Sequence, residues 1–288
     1  MPSFQGLRVL ALESRRAREI GALISTYGGQ PTVAPALREV PLESNPDALA
    51  FADGLLRGDF DIVILLTGVG TRALLEVVEQ SVPRDAFIAA LARTKVVARG
   101  PKPLAVLREW NVPAWIAAPE PNTWRELLAA LDGETGRLES APATEKSLAG
   151  QRVAVQEYGA SNPDLLQGLE ARGAIVTRVP VYRWALPEDV GPLQAAARAI
   201  ADGQIDMAIF TTATQVVHLL QVAAGMKIED GVRSGLSRLV IASIGPTTSE
   251  ELRQQGFQID MEASHPKMGF LVREAAERSA ELIRTKRT

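Results

Sequence analysis

Few side chains in this sequence are equipped for hard chemistry. There is no cysteine, which removes disulfides, thiolate metal sites and a cysteine nucleophile together, and the two histidines, His218 and His265, are too far apart to offer a local metal spacing. His218 stands between Val216-Val217 and Leu219-Leu220, the setting of a packing residue. No G-x-S-x-G elbow and no G-x-x-x-x-G-K-[ST] phosphate loop occurs. Acidic pairs such as Glu250-Glu251 fall on helical stretches and read as solvated faces. Tyr158 and Tyr182 are better candidates, because a phenol can donate or share a proton with a leaving group.

The richer signal lies in turns of small and polar residues. Thr67-Gly68-Val69-Gly70-Thr71, Arg99-Gly100-Pro101-Lys102, Tyr158-Gly159-Ala160-Ser161, Thr211-Thr212-Ala213-Thr214 and Gly245-Pro246-Thr247-Thr248 each follow an apolar run and precede a helical pattern. Helix N-termini carry unpaired N–H groups and partial positive charge, and small residues let an anion approach them. Any one turn reads equally as an ordinary cap or tight turn. Together they describe an open polar face suited to several carboxylates or phosphates. Gly68-x-Gly70 alone is a weak nucleotide signal, with Ala73 standing where a third glycine would be.

The elements that position these turns alternate along the chain. RVLALES (8–14), DIVILLTG (61–68), KVVARG (95–100), RVAVQEYG (152–159), DMAIFTTA (206–213) and LVIASIG (239–245) are strand candidates, each followed by a helix, so the fold class is α/β with mostly parallel strands. In such sheets ligands bind beyond the carboxyl ends of the strands, where the turns lie. A length of 288 residues suggests two domains. Apolar residues at 46%, charged residues at 23% and a net charge of −3 are ordinary globular values and argue against binding a polyanion through bulk charge. No run approaches a membrane span or a signal peptide, so a cytoplasmic protein is expected.

The chain also resembles itself. GDFDIVILLTGVGTRALLEV (58–77) aligns without gaps on GQIDMAIFTTATQVVHLLQV (203–222), an offset of 203 − 58 = 145. Gly100-Pro101 falls on Gly245-Pro246 at the same offset, and Arg8-Val9 falls on Arg152-Val153 with one residue of slip. Two copies of a domain-sized unit are implied. Proline-punctuated stretches at 32–42 and 176–187 occupy matching places and suit edges or isolated ribbons that cross between domains. The polar segment 134–151 reads as a solvent loop.

Through LLTGVGTRALLE, ARGPKPLAVLREWNV, VPVYRW, FTTATQVVHLL, IGPTTSEELRQQG and SHPKMGFLV, the sequence resembles the uroporphyrinogen-III synthase family along nearly its whole length. The resemblance implies two flavodoxin-like (Rossmann-like) domains joined by a two-stranded β-ladder. One domain would combine residues 1–36 with 187–288 and the other would hold 37–186, so that the copies exchange their first strand and helix. It implies a cofactor-free and metal-free lyase that cyclises hydroxymethylbilane to uroporphyrinogen III with inversion of ring D and loss of water. Thr67, Gly68, Val69, Arg99, Gly100, Lys102, Gly159, Ser161, Thr212, Ala213, Thr214, Thr247 and Thr248 would bind the substrate's carboxylates. Tyr182 or Tyr158 would protonate the leaving hydroxyl. A monomer is expected, with a transient contact to hydroxymethylbilane synthase, and no contact with nucleic acid or membrane. The alternative is an intracellular two-lobed binding or sensor protein for a small polycarboxylate or tetrapyrrole, since two α/β lobes on a double crossing also describe solute receptors.

Overall fold

The computed structural model describes residues 1–41, 45–138, 147–157, 159 and 161–287. The first half of the chain forms β1 (Arg8–Ala11), α1 (Ala17–Thr26), β2 (Gln30–Val33), β3 (Arg38–Pro41), α2 (Pro46–Arg57), β4 (Ile62–Leu65), α3 (Gly68–Val78), α4 (Arg84–Ala92), β5 (Lys95–Ala98), α5 (Pro101–Glu109), β6 (Ile116–Ala117) and α6 (Trp124–Leu138). The second half repeats that order as β7 (Arg152–Glu157), α7 (Pro163–Ala171), β8 (Ile175–Pro180), β9 (Tyr182–Ala185), α8 (Gly191–Ala201), β10 (Met207–Phe210), α9 (Thr214–Gly225), α10 (Glu229–Arg238), β11 (Val240–Ser243), α11 (Pro246–Gln254), β12 (Met261–Glu262) and α12 (Met268–Arg287).

The central strands are short and almost wholly apolar, Ser243 at the end of β11 being the polar exception, because both of their faces are covered. All four residues of β4 (IVIL), β10 (MAIF) and β11 (VIAS) are buried, the signature of a parallel sheet with helices on each side. Alternate residues serve opposite faces. Val63 and Leu65 join one apolar cluster and Ile62 and Ile64 another, just as Leu10 and Val9 divide between the two clusters of the second sheet.

The strands form two five-stranded parallel sheets, ordered β12-β11-β10-β1-β2 and β6-β5-β4-β7-β8, and a two-stranded sheet β3-β9. The chain divides into two compact units, residues 1–38 with 185–288 and residues 39–184. Each sheet is a hybrid: β1 of the first copy pairs with β10 of the second, and β7 of the second pairs with β4 of the first. The register is the same in both, with Val9 opposite Met207 and Val153 opposite Ile62.

The exchange is pinned twice by one device. Arg8 donates its main-chain N–H and its guanidinium to Asp206 and to Gly203 O. Arg152 does the same to Asp61 and Gly58 O. The arginine hydrogen bonds hold both aspartates below the usual carboxylate range.

Each proline-bearing stretch divides in two. Residues 32–33 end the edge strand β2 and 38–41 form β3, while 176–180 complete the edge strand β8 and 182–185 form β9. Proline is tolerated in such edge strands and isolated ribbons far better than in a sheet centre. The solvent loop expected at 134–151 requires correction: α6 continues to Leu138, and Leu148 is fully buried. The small and polar composition concealed one apolar anchor and the Asp132 carboxylate, which accepts from Ser147 Oγ at 2.8 Å and from Arg172 at 2.7 Å. Residues 139–146 lie outside the described residues.

Candidate functional site

In each sheet the strands end on the same edge, and the polar turns collect there. In the unit of residues 39–184, Thr67 caps α3 with extended backbone, and its Oγ1 accepts the Gly70 N–H at 3.0 Å. Its carbonyl takes the Thr71 N–H at 2.9 Å and the Thr71 hydroxyl at 2.7 Å. The Gly68 and Val69 amides then remain without an acceptor among the described residues.

Gly68 is glycine because α3 begins against α5. A Cβ there would lie 2.8 Å from the Lys102 carbonyl, so two helix N-termini open side by side. Around them Lys102 is exposed, Val69 is 39% exposed and Arg99 is half-buried. Gly100 enters α5 in extended backbone and packs on Asn122, whose Oδ1 would stand 2.9 Å from a Cβ at Gly100.

The tyrosine expected to move a proton is a core residue by packing. Tyr182 is 6% exposed, belongs to the apolar cluster of its unit and meets Trp184 edge-on, with ring centroids 5.5 Å apart at 84°. Gly159 has φ +64° and gives its N–H to the Tyr182 carbonyl at 3.1 Å. A Cβ at Gly159 would collide with Trp184 Nε1. Tyr158 lies outside the described residues. Ser161 is exposed and donates its hydroxyl to Glu157 Oε1 at 2.6 Å, and the buried Glu157 also accepts from Arg178 at 3.0 Å.

The other unit builds its edge differently. Helix α9 has no side-chain N-cap. Instead Gln215, 1% exposed in its first turn, turns back so that Oε1 accepts the Thr211 N–H at 2.8 Å and the Thr212 N–H at 3.3 Å. Its Nε2 donates to Thr211 Oγ1 at 2.9 Å, and that hydroxyl donates to Glu13 Oε2 at 2.5 Å. The amides of Ala213 and Thr214 are the ones left without an acceptor among the described residues. At α11, Thr247 is exposed whereas Thr248 is 4% exposed, so only the main chain of Thr248 can serve a ligand. His218 is occupied by the Ala36 carbonyl, 2.8 Å from Nδ1.

The turns gave no sign of Gln215, Gln156 or two glutamates, Glu157 at the end of β7 and Glu13 two residues beyond β1. The repeat held the signal: the slip that aligns Arg8 with Arg152 also aligns Glu13 with Glu157. Each edge thus offers helix starts with open amides, an arrangement that binds anionic groups and polarises oxygen atoms. Single contacts of this kind contribute only about 0.3–1 kcal/mol when exposed, so a ligand held this way must carry several anionic groups.

A family model described as uroporphyrinogen-III synthase HemD matches residues 18–273. Among solved structures, a mutant uroporphyrinogen III synthase from Thermus thermophilus is 25% identical, with 96% of this chain and 99% of that chain covered and a TM-score of 0.72. The wild-type enzyme from that organism is 26% identical, with 96% and 98% covered and a TM-score of 0.55. A protein of Bacillus subtilis (strain 168) described as uncharacterized protein YjjA is 29% identical over 276 residues, which is 94% of this chain and 96% of that one.

Proposed function

The chain belongs to the uroporphyrinogen-III synthase family, and on that premise we propose that it closes hydroxymethylbilane to uroporphyrinogen III, inverting ring D and releasing water. The family match over residues 18–273 carries the reading. The substrate is a flexible chain of pyrroles bearing acetate and propionate groups, and the open amides at Gly68, Val69, Lys102, Ala213, Thr214 and Thr247 suit those carboxylates without a basic protein. Thr67 and Gly100 shape the helix starts that present them, joined by the charges of Arg99 and Lys102 and by Gly159, Ser161, Thr212 and the Thr248 main chain.

The pyrrole nitrogens supply the electron push of the reaction. Loss of the hydroxyl gives an azafulvene cation, ring D attacks through its substituted carbon to form a spiro intermediate, and fragmentation and reclosure leave ring D inverted. The protein's work is to hold the chain curled for that attack and to keep bulk water from the cation. Tyr182 is assigned to protonating the departing hydroxyl, with Tyr158 as the alternative donor. The protein is placed in the cytoplasm as a monomer that receives its unstable substrate by contact with hydroxymethylbilane synthase. Among the described residues, no helix is long and apolar enough to cross a membrane.

Hydroxymethylbilane closes unaided to the unflipped isomer, which defines the test. The protein is incubated with that substrate and the porphyrin isomers are separated after oxidation. An excess of isomer III supports the enzyme, and isomer I alone, as in a protein-free control, rejects it.

A further inference from the structure

The two glutamates at equivalent strand ends are treated differently by the fold. Glu157 is buried and neutralised: its side chain is 6% exposed and lies 2.9 Å from the Arg178 guanidinium. Glu13 is half-buried, and among the described residues it meets no cation. Its partners are neutral donors, the Thr211 hydroxyl at 2.5 Å and the Arg16 main-chain N–H at 3.2 Å, while the Arg16 side chain is paired with Glu19. At an edge read as binding carboxylates, an unneutralised carboxylate repels the substrate's own acid groups. Its place must face a part of the ligand that carries N–H groups or positive charge.

A cap for the start of α1 would explain the bond to Arg16 N–H, but it would not explain the reach from α9. Gln215 is buried, spends Oε1 on two main-chain amides and aims Nε2 at Thr211 Oγ1. Because that oxygen receives the Gln215 proton, the Thr211 hydroxyl proton is directed at Glu13. The relay fixes the carboxylate's position and leaves its remaining lone pairs open. A preorganised anion of this kind stabilises charge that develops in a transition state without reorganising at the moment of reaction.

Resting on the family reading above, we infer that Glu13 is a catalytic residue that accepts a pyrrole N–H of the ring losing its hydroxyl and stabilises the cation formed there, with Thr211 and Gln215 as positioning residues. In that step the C–O bond of the hydroxymethyl group breaks and its electron pair leaves with oxygen. The oxygen takes one proton from the donor phenol or from solvent and departs as water. Electrons of the pyrrole nitrogen feed the exposed carbon, so the ring keeps its N–H and carries one positive charge. Glu13 takes no proton; it faces the charge across the N–H bond.

The test compares full-length Glu13→Gln and Thr211→Val with the parent protein, reading turnover of hydroxymethylbilane and, under anaerobic conditions, the affinity for uroporphyrinogen III, whose ring system is uncharged. Glu13→Gln should lower kcat by about tenfold to a hundredfold, the range for losing a hydrogen bond to a charged acceptor, and leave product affinity within about twofold. Thr211→Val should give a smaller fall in kcat with the same unchanged affinity. Unchanged kcat in Glu13→Gln overturns the assignment, and so does a parallel loss of turnover and product binding, which marks a packing role. If Glu13→Gln does not fold, Thr211→Val decides by the same criterion. The parent protein's isomer ratio reports separately on the family reading, so the two cannot fail unnoticed together.

Discussion

Gln156, on β7, fills the space that the missing side chain of Gly70 leaves on α3: a Cβ built on Gly70 would overlap Gln156 Nε2. The internal repeat places Gln215 where Gly70 stands and Leu12 where Gln156 stands. Both units therefore bury one glutamine between the exchanged strand and the helix that follows the central strand. One supplies it from the strand and the other from the helix. At 1% exposure each amide is inside the protein, where an unbonded polar group costs stability.

This reciprocity predicts a rescue. Gly70→Gln alone should destabilise by about 1–3 kcal/mol or more, through overpacking against Gln156. Adding Gln156→Leu reproduces the opposite unit and should recover most of the loss, a coupling within the ~0.5–3 kcal/mol seen for residues in contact. Urea unfolding of the parent, both single variants and the double variant measures it. Strictly additive losses would show that the two positions do not share one space.

Gly159 combines a left-handed backbone with a packed ring, and both forbid a side chain. Gly159→Ala must displace Trp184, whose ring occupies the place of the new Cβ and packs edge-on with Tyr182. We expect a lowered Tm and a changed tryptophan fluorescence, with a cost of about 1–3 kcal/mol from backbone strain alone. An unaltered spectrum and Tm would contradict the packing described.

The arginine and aspartate pairs that pin the exchanged strands set an acid limb. Asp206 and Asp61 have folded pKa values depressed below their unfolded ones, chiefly by the hydrogen bonds from Arg8 and Arg152. The unfolded state binds more protons near these values, so the stabilisation is complete above the unfolded aspartate value of about 3.9 and is lost as pH falls through the folded one. Both arginines are more than a third exposed, so solvent screens each pair and its contribution is small. Arg8→Met should lower stability slightly at neutral pH and flatten the loss below about pH 4. An acid limb unchanged in that variant would contradict the assignment.

If the Tyr182 phenol protonates the leaving hydroxyl, Tyr182→Phe should reduce turnover by about a hundredfold or more, the usual range for general acid catalysis. The substitution keeps the ring and so keeps the contact with Trp184. Unchanged turnover would remove Tyr182 from proton transfer and leave it a core residue.

Much of the fold was legible because its physics is written locally. Strands buried on both faces must be nearly continuous apolar runs, and β4 and β10 are wholly so, while β11 admits only Ser243 at its end. The repeat exposed the matching turns and the ribbons. What stayed hidden depends on contacts distant in sequence. Thr248 looked like a polar ligand and is buried, since its helix faces inward one residue after the exposed Thr247. Gln215 sits among apolar residues with no local sign that its amide folds back onto two main-chain donors. The helical course of 134–138 was obscured by glycines and charges that commonly mark loops.

Open main-chain amides at the sheet edges are proposed to hold carboxylates of the tetrapyrrole. The most direct measurement is a titration of the isotopically labelled protein with uroporphyrinogen III, following backbone amide resonances. The largest shifts are expected at Gly68, Val69 and Lys102 in one unit and at Ala213, Thr214 and Thr247 in the other. Shifts absent from these amides at a saturating concentration of product would contradict that proposal.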